Sequence, residues 1–555
     1  MSDEIKRLKD PIYGYISVNS KILHEIVDTA AFQRLRRIRQ TSYEPLYSAA
    51  LHNRFIHSLG VYHLGCIASS AMKDNIGKSK YKNDWKKEWE DDFKLACLLH
   101  DVGHSPFSHS GEKFYDFDAI GEKVKKELGS SDFSKDFDKA VANSRKCKNH
   151  ELMSACIGIK TFSDFIKDKE FFVRCIIGYT YELKGKDDKV SRSIKNALIL
   201  LLNSPCIDVD KIDYLLRDSY VTGFDTIAID YERLLKSVCF KMPNDDSEMS
   251  IVFQKRAISV LENVIYAHDA EQKWIQNHPV VKYETYIVQY IIDKVKKYYD
   301  NNEANIFSDA ALTEKGVSSC IQIIDKESEA RKDTVSLLCD DDIVFTMKNR
   351  LLQSDNNGLM REYFDRTKRR HPIWKSESEY RALFDNGGPC SNIKEKFQVQ
   401  MQKLEKFLLD NDLYIITEET KNICEKCLEN EIKKIDENEN IGETDKSVQK
   451  IRLNDIQNAL SVLKDTATNC NIPMDFVILK ANRFESGFTT DSMRFLNVDF
   501  VYLEKPIKLE KINSTLKADK NEENKGFFYL FYRRTAEFNI DINNLIKSLN
   551  QAYSN

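Results

Sequence analysis

The chain has 555 residues, with 83 Lys or Arg against 87 Asp or Glu and a net charge of -4. That balance sets up no global field for nucleic acid or for an anionic membrane. A hydrophobic fraction of 42% is ample for large buried cores and excludes general disorder.

Length suggests two to four domains at about 150 residues each. Only 19 Gly and 10 Pro punctuate the chain, which favours long helices over strands and turns. The opening "MSDEIKRLKD" is charged and offers no signal-peptide core. Helical spacing then predicts helices over 28–41, 55–76, 91–104, 191–203, 255–275 and 280–298. The apolar run "NALILLLNSPC" (196–206) is too short to span a bilayer, so no membrane partner is expected. The charged stretches 78–92 and 121–149 read as solvated inserts. Residues 350–376 read as a helix running into the basic turn "RTKRRH", and 428–450 as a strongly charged region. The 13 cysteines lack framework spacing, and "ICEKC" (423–427) has no second ligand pair nearby. A cytoplasmic location is expected. Near the end, 475–481, 497–512 and 526–534 read as strands, the last two as a hairpin, with a helix over 542–553 packed across them. The expected fold class is mainly α, a helical core with a smaller α+β C-terminal region.

The chemistry concentrates in "LLHDVGHSPFSH" (98–109), which holds three of the 11 histidines. Neutral imidazoles ligate metals and exchange protons near neutral pH. Upstream, His57 sits early in an apolar helix. Downstream, "CIDVDKIDYLLRDS" (206–219) alternates carboxylates with apolar residues. His57, His100, Asp101 and Asp210 would make a two-histidine, two-aspartate metal site with open positions. Each element alone is weak, because a lone histidine on an apolar helix is more often a satisfied core residue.

Together, in this order, "DPIYGYISV" (10–18), "DTAAFQRLRRIRQT" (28–41), "NRFIHSLGV" (53–61), "HDVGHSPFSH" (100–109), "NHE" (149–151) and "DVDKIDYLLRD" (208–218) resemble the HD phosphohydrolase superfamily. Within it they are most similar to the deoxynucleoside triphosphate triphosphohydrolases. The resemblance is strong over 6–235 and patchy to 300. It implies an HD phosphohydrolase domain over 1–300, a helical extension over 301–415 and an α+β region over 416–555, with a regulatory or oligomerising part. It implies that His57, His100, Asp101 and Asp210 hold a divalent ion (Mg, Mn, Fe or Zn). Water would attack the α-phosphorus of a dNTP and release deoxynucleoside and triphosphate. His109 matches the general acid, Glu112 the carboxylate that orients it, and His104 and His150 the remaining active-site histidines. Gln40, Arg54, Lys211, Tyr214 and Asp218 match substrate contacts. The family's segment "LHRRAYQHK" is represented by "QKWIQNHPVVKYE" (272–284), where His278 matches a substrate-binding histidine, Lys273 replaces an arginine, and Lys282 stands for a tyrosine.

Asp28, Gln33 and Arg36 match positions that read an allosteric guanine nucleotide between subunits, and they also belong to a structural signature of the whole family. The resemblance therefore implies a nucleotide substrate, a nucleotide activator and a homo-oligomer (dimer, tetramer or hexamer). Housekeeping balance of the dNTP pool and its depletion in phage defence both fit. The alternatives are hydrolysis of another nucleotide or phosphoester and a nucleotide sensor that recruits a partner. A nuclease or nucleic-acid binder would need a concentrated basic face, which the charge balance does not encourage.

Overall fold

The structure is a computed structural model. It describes residues 4–183, 188–224, 228–241, 250–301, 305–313, 336–356, 358–385, 387–438, 442–484, 486–487, 496–499, 505–509, 526–534 and 538–554. The chain forms two compact units that alternate along the sequence. Residues 1–272, 291–351 and 485–518 make the first, and 273–290, 352–484 and 519–555 the second. The alternation has a local cause. Asn497–Asp499 pairs in parallel with Ser250–Gln254, so a late segment completes an early sheet.

The first unit is built on helices α1 (Arg54–Gly77), α2 (Lys87–Leu99), α3 (Phe117–Leu128), α4 (Ser131–Ala142), α5 (Asn149–Thr161), α6 (Lys169–Ile177), α7 (Lys189–Leu202) and α8 (Val209–Thr222). α1 begins at Asn53, whose side chain accepts from the Ile56 N–H at 3.3 Å, a standard helix start. It is buried on most sides and packs against α2 and α8. The approach to α8 requires glycine, since a Cβ on Gly60 would stand 1.8 Å from Asp213 Oδ1.

α2 stops at Leu99 rather than at 104, so the "HDVGHSPFSH" residues sit just beyond its end. The expected helix over 28–41 is only Ala30–Gln33, continued by a tighter turn over Arg34–Arg37.

The stretch 121–149 is not a solvated insert. It completes α3 and forms α4, separated by Gly129 in the left-handed region and capped by Ser130. Ile120, Val124, Phe133 and Phe137 are buried. Their four-residue spacing defines two amphipathic helices whose charges face outward, and the charge density hid that spacing. Similarly, 78–92 turns helical at Lys87 and buries Trp89 and Asp92.

The first unit also holds the hairpin Ile5–Asp10 with Gly14–Asn19, and a sheet ordered Val238–Lys241, Ser250–Gln254, Asn497–Asp499, Ile507–Lys508. In the second unit, Arg370–Pro372, Phe527–Arg533, Asp475–Ala481 and Ile416–Thr417 form an antiparallel sheet. Helices Lys394–Asp410, Glu418–Glu437, Glu443–Asn469 and Ile542–Ser554 accompany it. The fold is thus mainly α with a smaller α+β part.

The expected hairpin between 497–512 and 526–534 is not formed. Phe527–Arg533 pairs with Asp475–Ala481, because both runs are apolar on both faces and fill the sheet centre. The turn-like 517–525 lies outside the described residues. The final helix packs on Glu443–Asn469, where Asn469 Nδ2 donates to Ser548 Oγ at 3.0 Å. No described helix is long and apolar enough to cross a membrane.

Gly60→Ala should destabilise the protein by about 1–3 kcal/mol through overpacking. Gly77→Ala, where a Cβ meets nothing within 4 Å, should be near neutral. Urea unfolding of the two variants checks this, and equal midpoints would refute the close approach of α1 and α8.

Candidate active site

The four residues expected to ligate metal converge in the first unit. His57 lies in the first turns of α1, His100 and Asp101 just past α2, and Asp210 in the first turn of α8. His57 Nε2 is 3.0 Å from Asp210 Oδ1, 3.3 Å from His100 Nε2 and 3.6 Å from Asp101 Oδ2. His100 Nε2 is 3.6 Å from both Asp101 Oδ1 and Asp210 Oδ1. His57, His100 and Asp101 are buried, while Asp210 is partly open to solvent.

The inner faces of both imidazoles are set by their other nitrogens. His100 Nδ1 donates to Cys97 O at 3.0 Å. His57 Nδ1 donates to Asp213 Oδ2 at 2.7 Å. These two bonds leave each Nε2 free as a lone-pair donor toward the common point. Asp213 is itself gripped by Arg217 through two bonds of 3.0 Å and by the Tyr13 hydroxyl at 2.7 Å. Arg217 reaches on to Asp10 Oδ2 at 3.1 Å. Asp10 also accepts from the Ile12 and Tyr13 N–H groups, so the "DPIYGY" turn is tied to α8. Burial alone would lower the His57 imidazole, but Asp210 and Asp213 push it up to about 9. Burial would raise Asp101, and Arg54, His100 and His57 outweigh it and hold the carboxyl below its ordinary range. Carboxylates around a common point favour a cation there.

A second cluster adjoins the first. His150 Nε2 lies 3.8 Å from Asp101 Oδ1, and its Nδ1 donates to Glu112 Oε1 at 2.7 Å. His109 Nδ1 bonds the same oxygen. His104 stacks on His150 with ring centres 4.2 Å apart. His104 is fully buried, and neither of its nitrogens has a hydrogen-bond partner. Burial first, then Arg54 and His150, push it far below the ordinary imidazole value, so it is neutral. Burial would raise Glu112, but His150 and His109 outweigh it and keep the carboxylate ionised. His109, by contrast, has a side chain 61% exposed. Just before it, Phe107 and Ser108 both adopt left-handed backbone, at φ 54° and 53°. Such residues cost on the order of 1–3 kcal/mol each and cluster at functional sites.

The expected substrate contacts divide. Arg54 is buried and donates to Asp101 Oδ2 at 2.7 Å, to Ser108 Oγ at 2.8 Å and to Gln40 O at 3.3 Å. Gln40 is buried, with an unpartnered Oε1. Lys211 Nζ donates to Asp208 Oδ2 at 2.6 Å and to Ser204 O at 2.8 Å. Tyr214 is half-buried on α8, and buried Asp218 lies 2.7 Å from His52 Nε2. His278 and Lys273 belong to the second unit, where they line a cavity of about 350 Å³ with Trp274, Lys375, Arg381 and Tyr529. Asp28, Gln33 and Arg36 lie near the surface. Arg36 Nε donates to Gln33 Oε1 at 2.8 Å and its guanidinium sits 3.5 Å over the Phe55 ring, while Asp28 pairs with His24.

Sequence reasoning missed Asp213, Arg217, Tyr13 and His52. Asp213 had a usable signal. It lies three residues after Asp210 and so shares a helical face with it.

Residues 54–197 match the family model of the HD domain. The chain thus carries an HD domain over these residues. Similar proteins include the uncharacterized protein YwfO of Bacillus subtilis, 31% identical over 315 residues, 56% of this chain and 60% of that protein. The deoxynucleoside triphosphate triphosphohydrolase SAMHD1 of Danio rerio is 31% identical over 241 residues, 42% of this chain and 36% of that protein. The chain thus spans about three-fifths of the first relative and about a third of the second. A hypothetical protein from Aquifex aeolicus, known from a crystal structure, shares the fold with a TM-score of 0.52 at 18% identity, covering 99% of this chain and 100% of that one.

HD domains bind divalent metals, and the donor set here fits one. An ion bound at about 2.0–2.2 Å with ligands about 90–109° apart has neighbouring donors roughly 2.8–3.6 Å apart. The separations of 3.0–3.6 Å in the site fall in that range.

Asp213→Asn keeps the shape of the side chain but disturbs the acceptor that fixes His57. Metal affinity should fall about 10- to 100-fold, the usual cost of losing such a partner. Calorimetric Mn²⁺ titration measures it, and unchanged affinity would contradict the role given to the His57–Asp213 bond.

Proposed function

We propose that the protein is a metal-dependent phosphohydrolase that converts deoxynucleoside triphosphates to deoxynucleoside and triphosphate, and so lowers or balances the dNTP pool. The observation that carries this reading is the adjacency of two clusters, a four-donor set and a histidine–glutamate set, with His150 Nε2 3.8 Å from Asp101 Oδ1. One set suits a metal ion, the other proton transfer. The triphosphohydrolase named among the relatives supports the choice of substrate.

An ion held by His57, His100, Asp101 and Asp210 would activate a water near neutral pH and draw charge from a phosphate oxygen. The chain's own groups do the rest. Glu112 accepts from His109 Nδ1, which orients the ring. Nε2–H of His109 can then protonate the leaving 5′-oxygen. The unpartnered nitrogens of neutral His104 are suited to a phosphate oxygen or the attacking water. His150, bonded to Glu112, lies between the proton donor and the donor set. Tyr214 stands one helical turn from Asp210, where its ring against C2′ would exclude a 2′-hydroxyl. Gln40 offers a sugar a buried oxygen without a hydrogen bond, and Asp218 a buried carboxylate paired with His52. A site built with such groups discriminates strongly, because a substrate that fails to satisfy them leaves them unpaired.

All four dNTPs should be assayed with separation of products by anion exchange. Deoxynucleoside and tripolyphosphate are expected; dNMP and pyrophosphate would place attack at another bond. His109→Ala should lower kcat by about 10²–10⁴, with less effect on KM. Asp210→Ala should abolish hydrolysis and bound metal, and leave the helical circular-dichroism signal in place.

Regulation is the further part of the reading. A guanine nucleotide docked at Asp28, Gln33 and Arg36 would bring a homo-oligomer together, since a carboxylate and a guanidinium read complementary edges of guanine. Arg36→Ala should then reduce activation by added GTP or dGTP and leave metal binding intact. Rates and light-scattering mass unaffected by any added nucleotide would leave these three residues a scaffold.

A further inference from the structure

Three consecutive aspartates, Asp340, Asp341 and Asp342, open the helix Asp340–Thr346, where acidic residues ordinarily just complement the helix dipole. They do different things here. Asp342 accepts from the Cys339 N–H at 2.8 Å and caps its own helix. Asp341 is exposed, 3.7 Å from Arg37. Asp340 is buried and faces the active-site loop, with Oδ1 accepting from the Phe107 N–H at 2.6 Å and Oδ2 from the Arg39 N–H at 2.9 Å.

We propose that Asp340 is a positioning residue of the active site: one carboxylate fixes the loop that carries His104 and His109 against the segment that carries Gln40. The proposal rests on the phosphohydrolase reading of that site. Phe107 and Ser108 occupy left-handed backbone in succession, a conformation non-glycine residues seldom adopt, and the next residue is His109. The direction in which the His109 ring leaves the chain follows from those two residues. Relaxing them re-aims the proton donor.

The surroundings grip the same loop. Arg34 is buried, and its guanidinium donates to Val102 O at 2.8 Å, His104 O at 2.9 Å and Leu338 O at 2.7 Å. Segment 338–340 is therefore joined to the loop twice, through Arg34 and through Asp340. Ser108 Oγ donates to Arg39 O, closing the ring between the two active-site segments. Asp340 contacts none of the four metal donors. It acts on the proton-donating and sugar-facing side of the site.

Two buried N–H groups need two acceptors, and a carboxylate supplies both from one side chain. Asn supplies one acceptor and turns an NH₂ group against the other N–H. A buried donor left unpaired is costly, so one of the two segments should let go.

The test uses the full chain with Asp340→Asn, and Asp341→Asn as the control. Hydrogen exchange is read by mass spectrometry on peptides covering 38–41 and 102–112, together with metal content and kinetics on dNTPs. Exchange in those peptides should rise, and kcat should fall about 10- to 100-fold with KM and metal content little changed, as expected for a misplaced catalytic group. Asp341→Asn should match the parent protein. Unchanged exchange overturns the proposal. So does faster exchange with an unaltered kcat, which would make Asp340 an ordinary structural cap. A raised KM at constant kcat also overturns it. If the parent protein hydrolyses no dNTP, the substrate reading fails, and exchange and metal content still decide whether Asp340 holds the loop. Should Asp340→Asn not fold, Asp340→Ser, which keeps one hydroxyl acceptor, is read on the same scales.

Discussion

Asp213 accepts from His57 Nδ1 at 2.7 Å, and much of the N-terminal unit converges on that buried bond. The carboxylate collects α1 through His57, its own helix α8 through Arg217, and the first hairpin's turn through Tyr13. Gly60 leaves the space it needs. An aspartate this deeply buried would be costly to ionise without partners, and here a guanidinium, a hydroxyl and an imidazole surround it. Their combined effect, Arg217 and His57 working against burial, holds its carboxyl down to about 2. The consequence at the site is directional, because His57 must present Nε2 to the point it shares with His100, Asp101 and Asp210.

That convergence sets the candidate metal donors beside the proposed proton-transfer groups. The donor set is oriented from behind by Asp213 and the Cys97 carbonyl. The histidine–glutamate cluster is organised from the other side by Glu112, which His109 and His150 share. Asp101 and Arg54 lie on the boundary, and the Arg54 guanidinium balances the Asp101 charge at 2.7 Å. His104, without hydrogen-bond partners and kept neutral by burial and by nearby positive charge, can meet an anionic phosphate without bringing a fixed charge of its own.

Much of this was legible in the sequence. α1 and α7 follow from apolar spacing, and the candidate donors, weak one by one, were named as a set through the resemblance carried by three separate segments. What escaped did so for physical reasons. Asp213 looks like any i,i+3 carboxylate on a charged helix until its partner on α1 is known. Residues 121–149 read as solvent-facing because lysine and glutamate outnumber the buried Phe133 and Phe137, though the phenylalanines set the helix face. The strand 526–534 was assigned the wrong neighbour because a short turn favours the nearest run, whereas burial favours the equally apolar 475–481. Asp340 was invisible because its two acceptor bonds reach 233 and 301 positions back along the chain.

In the proposed function, one divalent ion at the His57, His100, Asp101 and Asp210 donor set enables phosphohydrolysis beside the His104, His109, Glu112 and His150 cluster. A stoichiometric titration tests it most directly. Metal-stripped protein receives Mn²⁺ in fractions of an equivalent, with bound ion followed by electron paramagnetic resonance and triphosphate release measured in the same samples. The rate should climb in proportion to bound ion and level at one equivalent per chain. Full activity in the stripped protein, or a rate that begins only after a second equivalent is bound, would contradict it.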